Sequence, residues 1–246
     1  MQANLIGFAE ILVIAIITGV VASLFGVGGG VISIPSMIFL LGVDPSVAVG
    51  TNSVIIIAST LSSAWFHLRQ GTLRKEGIYL GIGGVIGTVI GNYLFLIASQ
   101  MKVMDKVLGI LFIIISALVV TKTKGTRTEP PEKTALILSG VLLGTFAGLA
   151  GMSGGVLINP ILMLVFDMDV KIAIGTSVAA LPMTAIASAL PKIAWGYVDW
   201  ELALAFLPGI IIGTKIGSKL MKEMDRAKLK KLFALLMLLM GVKMLI

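Results

Sequence analysis

Two glycine clusters are the residues of this chain whose type and spacing best suit ligand binding. Glycines interrupt a helix, expose backbone N–H groups and open the N-terminus of the helix that follows. Such an N-terminus carries about half a positive charge and binds anions. We therefore predict that a small anion binds at both clusters. They consist of Gly28, Gly29 and Gly30, and of Ser153, Gly154 and Gly155.

Two other roles for these glycines were considered. A dinucleotide-binding loop is excluded, because no alternation of strands and helices surrounds Gly26–Gly30. A packing role stays open, since glycines also let membrane helices approach closely. Ligand binding is favoured because each cluster precedes a proline, Pro35 or Pro160, and then a Gly-Thr pair that contains Thr51 or Thr176.

A stripe of polar side chains occurs in two further apolar runs. Its members lie seven and then four residues apart, which places them on one face of a helix: Asn52, Ser59 and Ser63 in one run, and Ser177, Thr184 and Ser188 in the other. Hydroxyl groups in membrane helices often bond to their own backbone carbonyls, and that interpretation stays open for each of them. A repeated stripe favours a path for substrate, because lipid offers these groups no partner. We therefore add to the candidate binding residues Thr51, Asn52, Ser59, Thr176, Ser177 and Thr184.

The composition is that of a polytopic membrane protein. Of 246 residues, 57% are hydrophobic and 13% are charged, and the mean hydropathy is +1.08, whereas soluble domains carry about 25% charged residues. The net charge of +7 comes from basic clusters between apolar runs, which is typical of cytoplasmic loops and excludes a nucleic-acid binder. With no cysteine and one histidine, the chain lacks a catalytic or metal-binding cluster, so we expect no enzyme and no cofactor.

The chain is internally repeated. Leu24–Pro35 reappears as Leu149–Pro160, about 125 residues later, and each half has about five hydrophobic segments. The second segment of each half is too short to span a bilayer, which takes about 20 residues, and is expected to be a half-helix or re-entrant arm near the midplane. We predict repeats at 1–121 and 134–246, joined by a polar cytoplasmic linker at 122–133.

Loop charges predict that the two repeats have inverted topology. The loop from Arg69 to Lys75 is basic, whereas the matching loop of the second half carries Lys192 against Asp199 and Glu201. Because basic loops stay in the cytoplasm, these loops are expected on opposite faces, with both termini outside. Broken helices in inverted repeats are typical of secondary transporters.

Two further pairs of positions match between the halves. Glycines every fourth residue, at Gly83, Gly87 and Gly91 and at Gly209, Gly213 and Gly217, predict close helix packing. His67 and Lys192 end the third segment of each half, and we expect both to be solvated by the loops that follow. The alternative is that each attracts the anion at its own mouth of the pathway. Without a buried relay of acidic or histidine side chains, the coupling ion, proton or sodium, stays open.

The motifs also resemble a known family. Gly-Val-Gly-Gly-Gly-Val-Ile-Ser-Ile-Pro35, Val-Ala-Val-Gly-Thr-Asn-Ser53 and Arg69-Gln-Gly71 are similar to those of the sulfite exporter TauE/SafE family, and Ala173-Ile-Gly-Thr-Ser177 and Trp195-Gly196 repeat the pattern more loosely. The resemblance implies a transporter of the prokaryotic cytoplasmic membrane for sulfite, sulfonates such as sulfoacetate, or other small anions. Ser153 replaces the first glycine of the second cluster, which makes the two arms chemically unequal.

These observations together predict an all-α secondary transporter that works by alternating access between two repeats. Its expected partners are a small anion and membrane lipid. The alternative is a lipid-headgroup flippase or a membrane scaffold that transports nothing. The identity of the anion, the direction of transport and the oligomeric state stay open.

Overall fold

The computed structural model describes residues 2–101, 131–151 and 154–245, and the single residues 110, 113 and 129. Most of the fifth segment of the first half and most of the 122–133 linker lie outside the described residues. The described part is helical, as expected. Its helices are α1 (Gln2–Phe25), α2 (Gly30–Phe39), α3 (Pro45–Arg69), α4 (Gly77–Met101), α5 (Lys133–Ala150), α6 (Gly155–Leu164), α7 (Val170–Ala194), α8 (Trp200–Glu223) and α9 (Arg226–Leu245).

Six of these helices have the length and composition of membrane spans. They are α1, α3, α4, α5, α7 and α8. The helices α2 and α6 have 10 residues each, so each is about 15 Å long, half the thickness of a bilayer core. The chain is therefore a multi-pass membrane protein, and the expectation of a short second segment in each half is confirmed.

Matching aspartates start the third helix of each half. Asp44 Oδ1 accepts a hydrogen bond from Ser46 N at 2.8 Å at the start of α3. Asp169 Oδ1 accepts one from Lys171 N at 3.0 Å at the start of α7. Each carboxylate satisfies an N–H group that has no partner within its helix and complements the helix dipole.

The short helix α2 folds back along α1. Gly29, with φ +95°, lies so close to α1 that a Cβ there would be 2.8 Å from Thr18 Cγ2. At the other end of α2, Leu40 and Leu41 line a groove with Val13 of α1. The short helix α2 therefore returns toward the face where α1 begins. In the second half, α6 starts in the same way, because a Cβ at Gly154 would be 2.7 Å from Leu143 O of α5.

The glycine stripes bring helices of the two halves into backbone contact. A Cβ at Gly87 of α4 would lie 1.9 Å from Val141 O of α5, and one at Gly213 of α8 would lie 2.2 Å from Ile16 O of α1. The predicted packing role of these glycines is confirmed. Along each stripe the contacts advance in the same direction on both helices, so α4 is parallel to α5 and α1 is parallel to α8.

The third helices of the two halves run antiparallel. Near the start of α3, Thr51 Oγ1 accepts a hydrogen bond at 2.9 Å from the N–H of Asp199, which follows α7. Near the start of α7, Gly175 O accepts one at 3.1 Å from the N–H of Arg74, which follows α3. The larger packing contacts are also reciprocal, since α4 packs on α5 and α7 while α8 packs on α1 and α3.

Candidate functional site

The breaks between the first and second helices of each half lie next to each other. We call residues 26–29 the first break and residues 151–154 the second break; Met152 and the candidate Ser153 lie outside the described residues. Gly26 and Gly151 adopt φ of +62° and +64°, a conformation that favours glycine. A Cβ at Gly155 would lie 2.3 Å from Gly26 O and 2.7 Å from Val27 Cα. The first turn of α6 thus packs directly on the first break.

Both short helices begin at a glycine, so no side chain caps them. Their N-cap residues are Gly29, which follows Gly28 with φ +76°, and Gly154. In contrast, aspartates cap α3, α7 and α8. The positive ends of the two short helix dipoles are therefore not offset by a carboxylate at the cap, which is the arrangement that favours a bound anion. Gly30 and Gly155 are the first residues of these helices, as expected from the sequence.

Asn52 of α3 bridges its own half to the second break. Its Nδ2 donates a hydrogen bond to Gly151 O at 2.6 Å, and its Oδ1 accepts one from Ser33 Oγ of α2. The side chain of Asn52 is fully buried. Asn52 therefore ties α2 and α3 of the first half to the end of α5 in the second half.

Ser177, which occupies the position equivalent to Asn52, contacts the first break. Its Oγ donates to Ile174 O at 2.9 Å and lies 3.4 Å from Gly26 O. Asn159 of α6 joins it, since Asn159 Nδ2 donates to Phe25 O at 2.5 Å and lies 3.2 Å from Gly26 O. The polar residue of each third helix thus bonds to the break of the other half. The sequence predicted that Asn52 and Ser177 lie near the breaks but not this crosswise pairing.

The other candidate side chains do not converge on the breaks. The Oγ1 atoms of Thr176 and Thr184 donate to the carbonyls of Ile172 and Leu181 at 2.9 and 3.0 Å, as the back-bonding interpretation expects. Thr51 Oγ1 accepts the bond from Asp199 described above. Ser59 Oγ is buried and has no hydrogen-bond partner within the described part of the chain.

Lys192 contradicts the expectation that the loop after α7 solvates it. The residue is fully buried. Its Nζ donates to Gly148 O and to Asn92 Oδ1, each at 2.6 Å, and lies 3.1 Å from Ser188 Oγ. The ammonium also lies 4.7 Å from the ring centroid of Phe95. The expectation was wrong because Lys192 lies four residues after Ser188, so the buried face of α7 extends to it.

His67 is buried in the same way at the equivalent position of α3. Its Nε2 lies 3.0 Å from Ser23 O, and its Nδ1 lies 2.9 Å from Thr72 Oγ1. Ser23 of α1 is in turn equivalent to Gly148 of α5, the acceptor for Lys192. In each half, a basic side chain at the end of the third helix thus contacts the last turn of the first helix, close to the break. These side chains are His67 and Lys192. The alternative, in which His67 and Lys192 attract the anion at two solvent-facing mouths of the pathway, does not fit the burial of both side chains.

Several residues at the site were missed by the sequence reasoning. Asn92 and Asn159 are amide side chains within apolar runs, and that polarity was the available signal. Asn92 directly follows the glycine stripe of α4, and Asn159 directly precedes Pro160. The spacing of four from Ser63 to His67, and from Ser188 to Lys192, was also visible in the sequence.

Comparisons with known proteins identify the family of this chain. The family model described as sulfite exporter TauE/SafE matches residues 11–244. The probable membrane transporter protein YunE of Bacillus subtilis is 28% identical over 96% of this chain and 97% of its own length. Two similar relatives, each 27% identical over 96% of this chain, are the probable membrane transporter proteins of Methanocaldococcus jannaschii and, named YjnA, of B. subtilis, covered over 94% and 98% of their lengths. No solved structure matches the chain. This multi-pass membrane protein therefore belongs to the sulfite exporter TauE/SafE family.

Proposed function

We propose that the chain is a secondary transporter that moves a small anion across the prokaryotic cytoplasmic membrane. Sulfite or an organosulfonate such as sulfoacetate is the proposed substrate class, in line with the family's description. The transport mechanism is alternating access between two inverted repeats, 1–121 and 134–246, with the cytoplasmic linker 122–133 between them. The relatives are named as membrane transporters, without a substrate.

The observation that carries this proposal is the contact between the first break and the first turn of α6, directly after the second break. Each break opens a short helix whose cap offers no carboxylate, and Gly155 of one half packs on Gly26 and Val27 of the other. Helix N-termini supply N–H donors and positive potential to an anion without a net charge in the membrane. Transporters with broken helices bind their substrates at such points, between the repeats. The proposed site is thus the region between the two breaks.

The helix directions support the inverted repeat. The equivalent helices α3 and α7 run antiparallel, as they would in two halves of opposite orientation. The same opposite orientation is consistent with α1 being parallel to α8 and α4 being parallel to α5. The crosswise bonds of Asn52 and Ser177 support a substrate region where the halves meet. If the two halves moved relative to each other, the contacts of both breaks would change together, as alternating access requires.

Flux into proteoliposomes tests the proposal. The purified full chain is reconstituted, and uptake of sulfite, sulfoacetate, methanesulfonate and sulfate is compared with uptake into protein-free vesicles. We expect faster uptake of at least one of these anions, and loss of that uptake in Gly155→Val, whose side chain would enter the contact with Gly26. Gly7→Val is the control, because a Cβ at Gly7 meets nothing within 4 Å. Uptake of every anion at the rate of empty vesicles would overturn the proposal, and movement of a labelled lipid would favour the flippase.

A further inference from the structure

Lys192 holds a potential positive charge inside the membrane region, and no described residue gives it a negative partner. Its four acceptors are Gly148 O, Asn92 Oδ1, and the O and Oγ atoms of Ser188. These acceptors fit the three hydrogens of an ammonium, yet none of them is charged. Among the described residues, the ion pairs are Lys219 with Glu223 and Arg226 with Asp169. Lys192 takes part in neither.

The surroundings of Lys192 hold it in place close to the second break. Asn92 Nδ2 donates to Ala187 O at 3.0 Å, which turns Asn92 Oδ1 toward the ammonium. The acceptor Gly148 O lies three residues, about 4.5 Å along α5, before Gly151. Gly151 O is the acceptor of Asn52. The buried lysine and Asn52 therefore bind to the same last turn of α5, where α6 begins.

A buried ammonium without a counter-charge is unfavourable in a membrane, and such a group either loses its proton or acquires an anion. Binding of an anion beside Lys192 would compensate the charge and so favour the protonated lysine. By linkage, protonation of the lysine would strengthen anion binding to the same degree. The anion and the proton would then bind together and leave together.

We propose that Lys192 is the counter-charge of the transported anion and carries one proton with each monoanion, so that the protein is an anion–proton symporter. This inference rests on the proposed anion transport and names its coupling ion. The proton resides on Nζ while the anion is bound, and both are released on the far side. No net charge then crosses with a monoanion.

Among the described residues, no group that bonds to Lys192 titrates. From α4 it meets Asn92 and Phe95, from α5 Gly148, and on its own helix Ser188, none of which titrates. Tyr197, after α7, packs edge-on against Phe95 with ring centroids 5.2 Å apart. From α3, Asn52 contacts the second break and does not titrate, whereas the titratable His67 contacts Ser23 O at the end of α1, beside the first break. From α6, Asn159 contacts the first break and does not titrate. The Asp169 and Arg226 pair of α7 and α9 lies about 34 Å away along α7.

The wild-type protein alone gives the first test. Vesicles that contain a trapped pH dye are given an inward gradient of methanesulfonate, which stays a monoanion across the assay range. We expect the lumen to acidify in step with methanesulfonate uptake, and the uptake rate to be independent of a membrane potential set with potassium and valinomycin. Uptake that the potential drives while the lumen pH stays constant would overturn the role of Lys192 but leave anion transport intact. Failure of the whole anion panel would instead overturn the proposed function.

Three variants test whether the coupling of anion and proton uptake depends on Lys192. Lys192→Met removes the charge at similar length, and we expect the concentration for half-maximal uptake to rise about ten- to a hundredfold. Lys192→Arg keeps a charge that cannot be released as a proton, so we expect anion-dependent thermal stabilisation without coupled acidification. Lys215→Met, at an exposed lysine of α8, should behave as wild type. Acidification and half-saturation unchanged in Lys192→Met would refute the inference, and the wild-type measurement decides if the variants do not fold.

Discussion

Asn52 makes two hydrogen bonds that join α3 both to α2 and to the second break. Its amide donates to Gly151 O, and its carbonyl accepts from Ser33. At the equivalent position of the other half, the hydroxyl of Ser177 lies 3.4 Å from Gly26 O, and Asn159 Nδ2 donates to the neighbouring Phe25 O. The two breaks are thus held by different side chains, although their backbones are alike.

We predict that Asn52→Leu weakens both the fold and anion transport. Leucine is similar in volume but leaves Gly151 O and Ser33 Oγ buried without this partner, a loss of about 1–3 kcal/mol. The thermal midpoint of the purified protein should fall, and half-saturation for sulfite uptake should rise about ten- to a hundredfold. Leu61→Ala, on the exposed side of α3, should change neither. Unchanged uptake in a stable Asn52→Leu protein would remove Asn52 from the site.

At the residue scale the sequence predicted that Asn52 and Ser177 lie near the breaks, because the spacing of the stripe and of the glycine clusters was repeated. It did not predict which break each residue meets. A periodic pattern assigns a residue to a face of its own helix, whereas the contact from Asn52 to Gly151 depends on how two distant segments pack. The burial of Lys192 was missed for a similar reason, since its position at a helix end indicated a loop.

At the scale of elements, the glycine stripes fix how closely helices from the two halves pack. The backbone contact between α4 and α5 leaves no room for a side chain at Gly87, where a Cβ would lie 1.9 Å from a carbonyl oxygen and 2.7 Å from Thr145 N. Contacts of this kind gain dispersion energy and dipole contacts that lipid cannot provide. The spacing of four in the sequence was sufficient to predict this role.

We expect Gly87→Val to be strongly destabilising, by about 3 kcal/mol or more, because α4 and α5 would have to separate. The destabilisation would be measured as a loss of monodisperse protein in gel filtration or as a large fall in the thermal midpoint in detergent. Gly7→Val in α1 is the matched control, since a side chain there meets open space. Equal behaviour of the two variants would mean that the α4 and α5 contact does not contribute to stability.

At the scale of the whole molecule, the helix directions determine which loops share a face. The ends of α3 and α7 lie at opposite ends of an antiparallel pair, so the loops after them are expected on opposite sides of the membrane. The loop charges predicted the same separation. The short second helix of each half was predicted from hydropathy alone, because the length of an apolar segment decides whether it can span the bilayer. Whether a short helix crosses or returns depends on tertiary contacts, and the fold-back of α2 was therefore left open.

Cysteine labelling tests this topology without background, because the chain has no cysteine of its own. Lys75→Cys and Glu201→Cys place single thiols at exposed positions after α3 and after α7. In intact cells, an impermeant maleimide should label Glu201→Cys, whereas Lys75→Cys should be labelled only after permeabilisation. Labelling of both from the same side would be incompatible with inverted repeats.

Gly19 of α1 is synthesised long before Gly213 of α8, the residue whose backbone it contacts. At 5–20 residues per second, ribosomes need about 10–40 s to cover that interval. During this time α1 is in the bilayer with its small-residue face open to lipid or to other proteins, and α4 waits in the same way for α5. The first half is therefore expected to be a substrate for membrane proteases or insertion chaperones until the second half arrives. Separately expressed halves should accumulate only when both are made in the same cell.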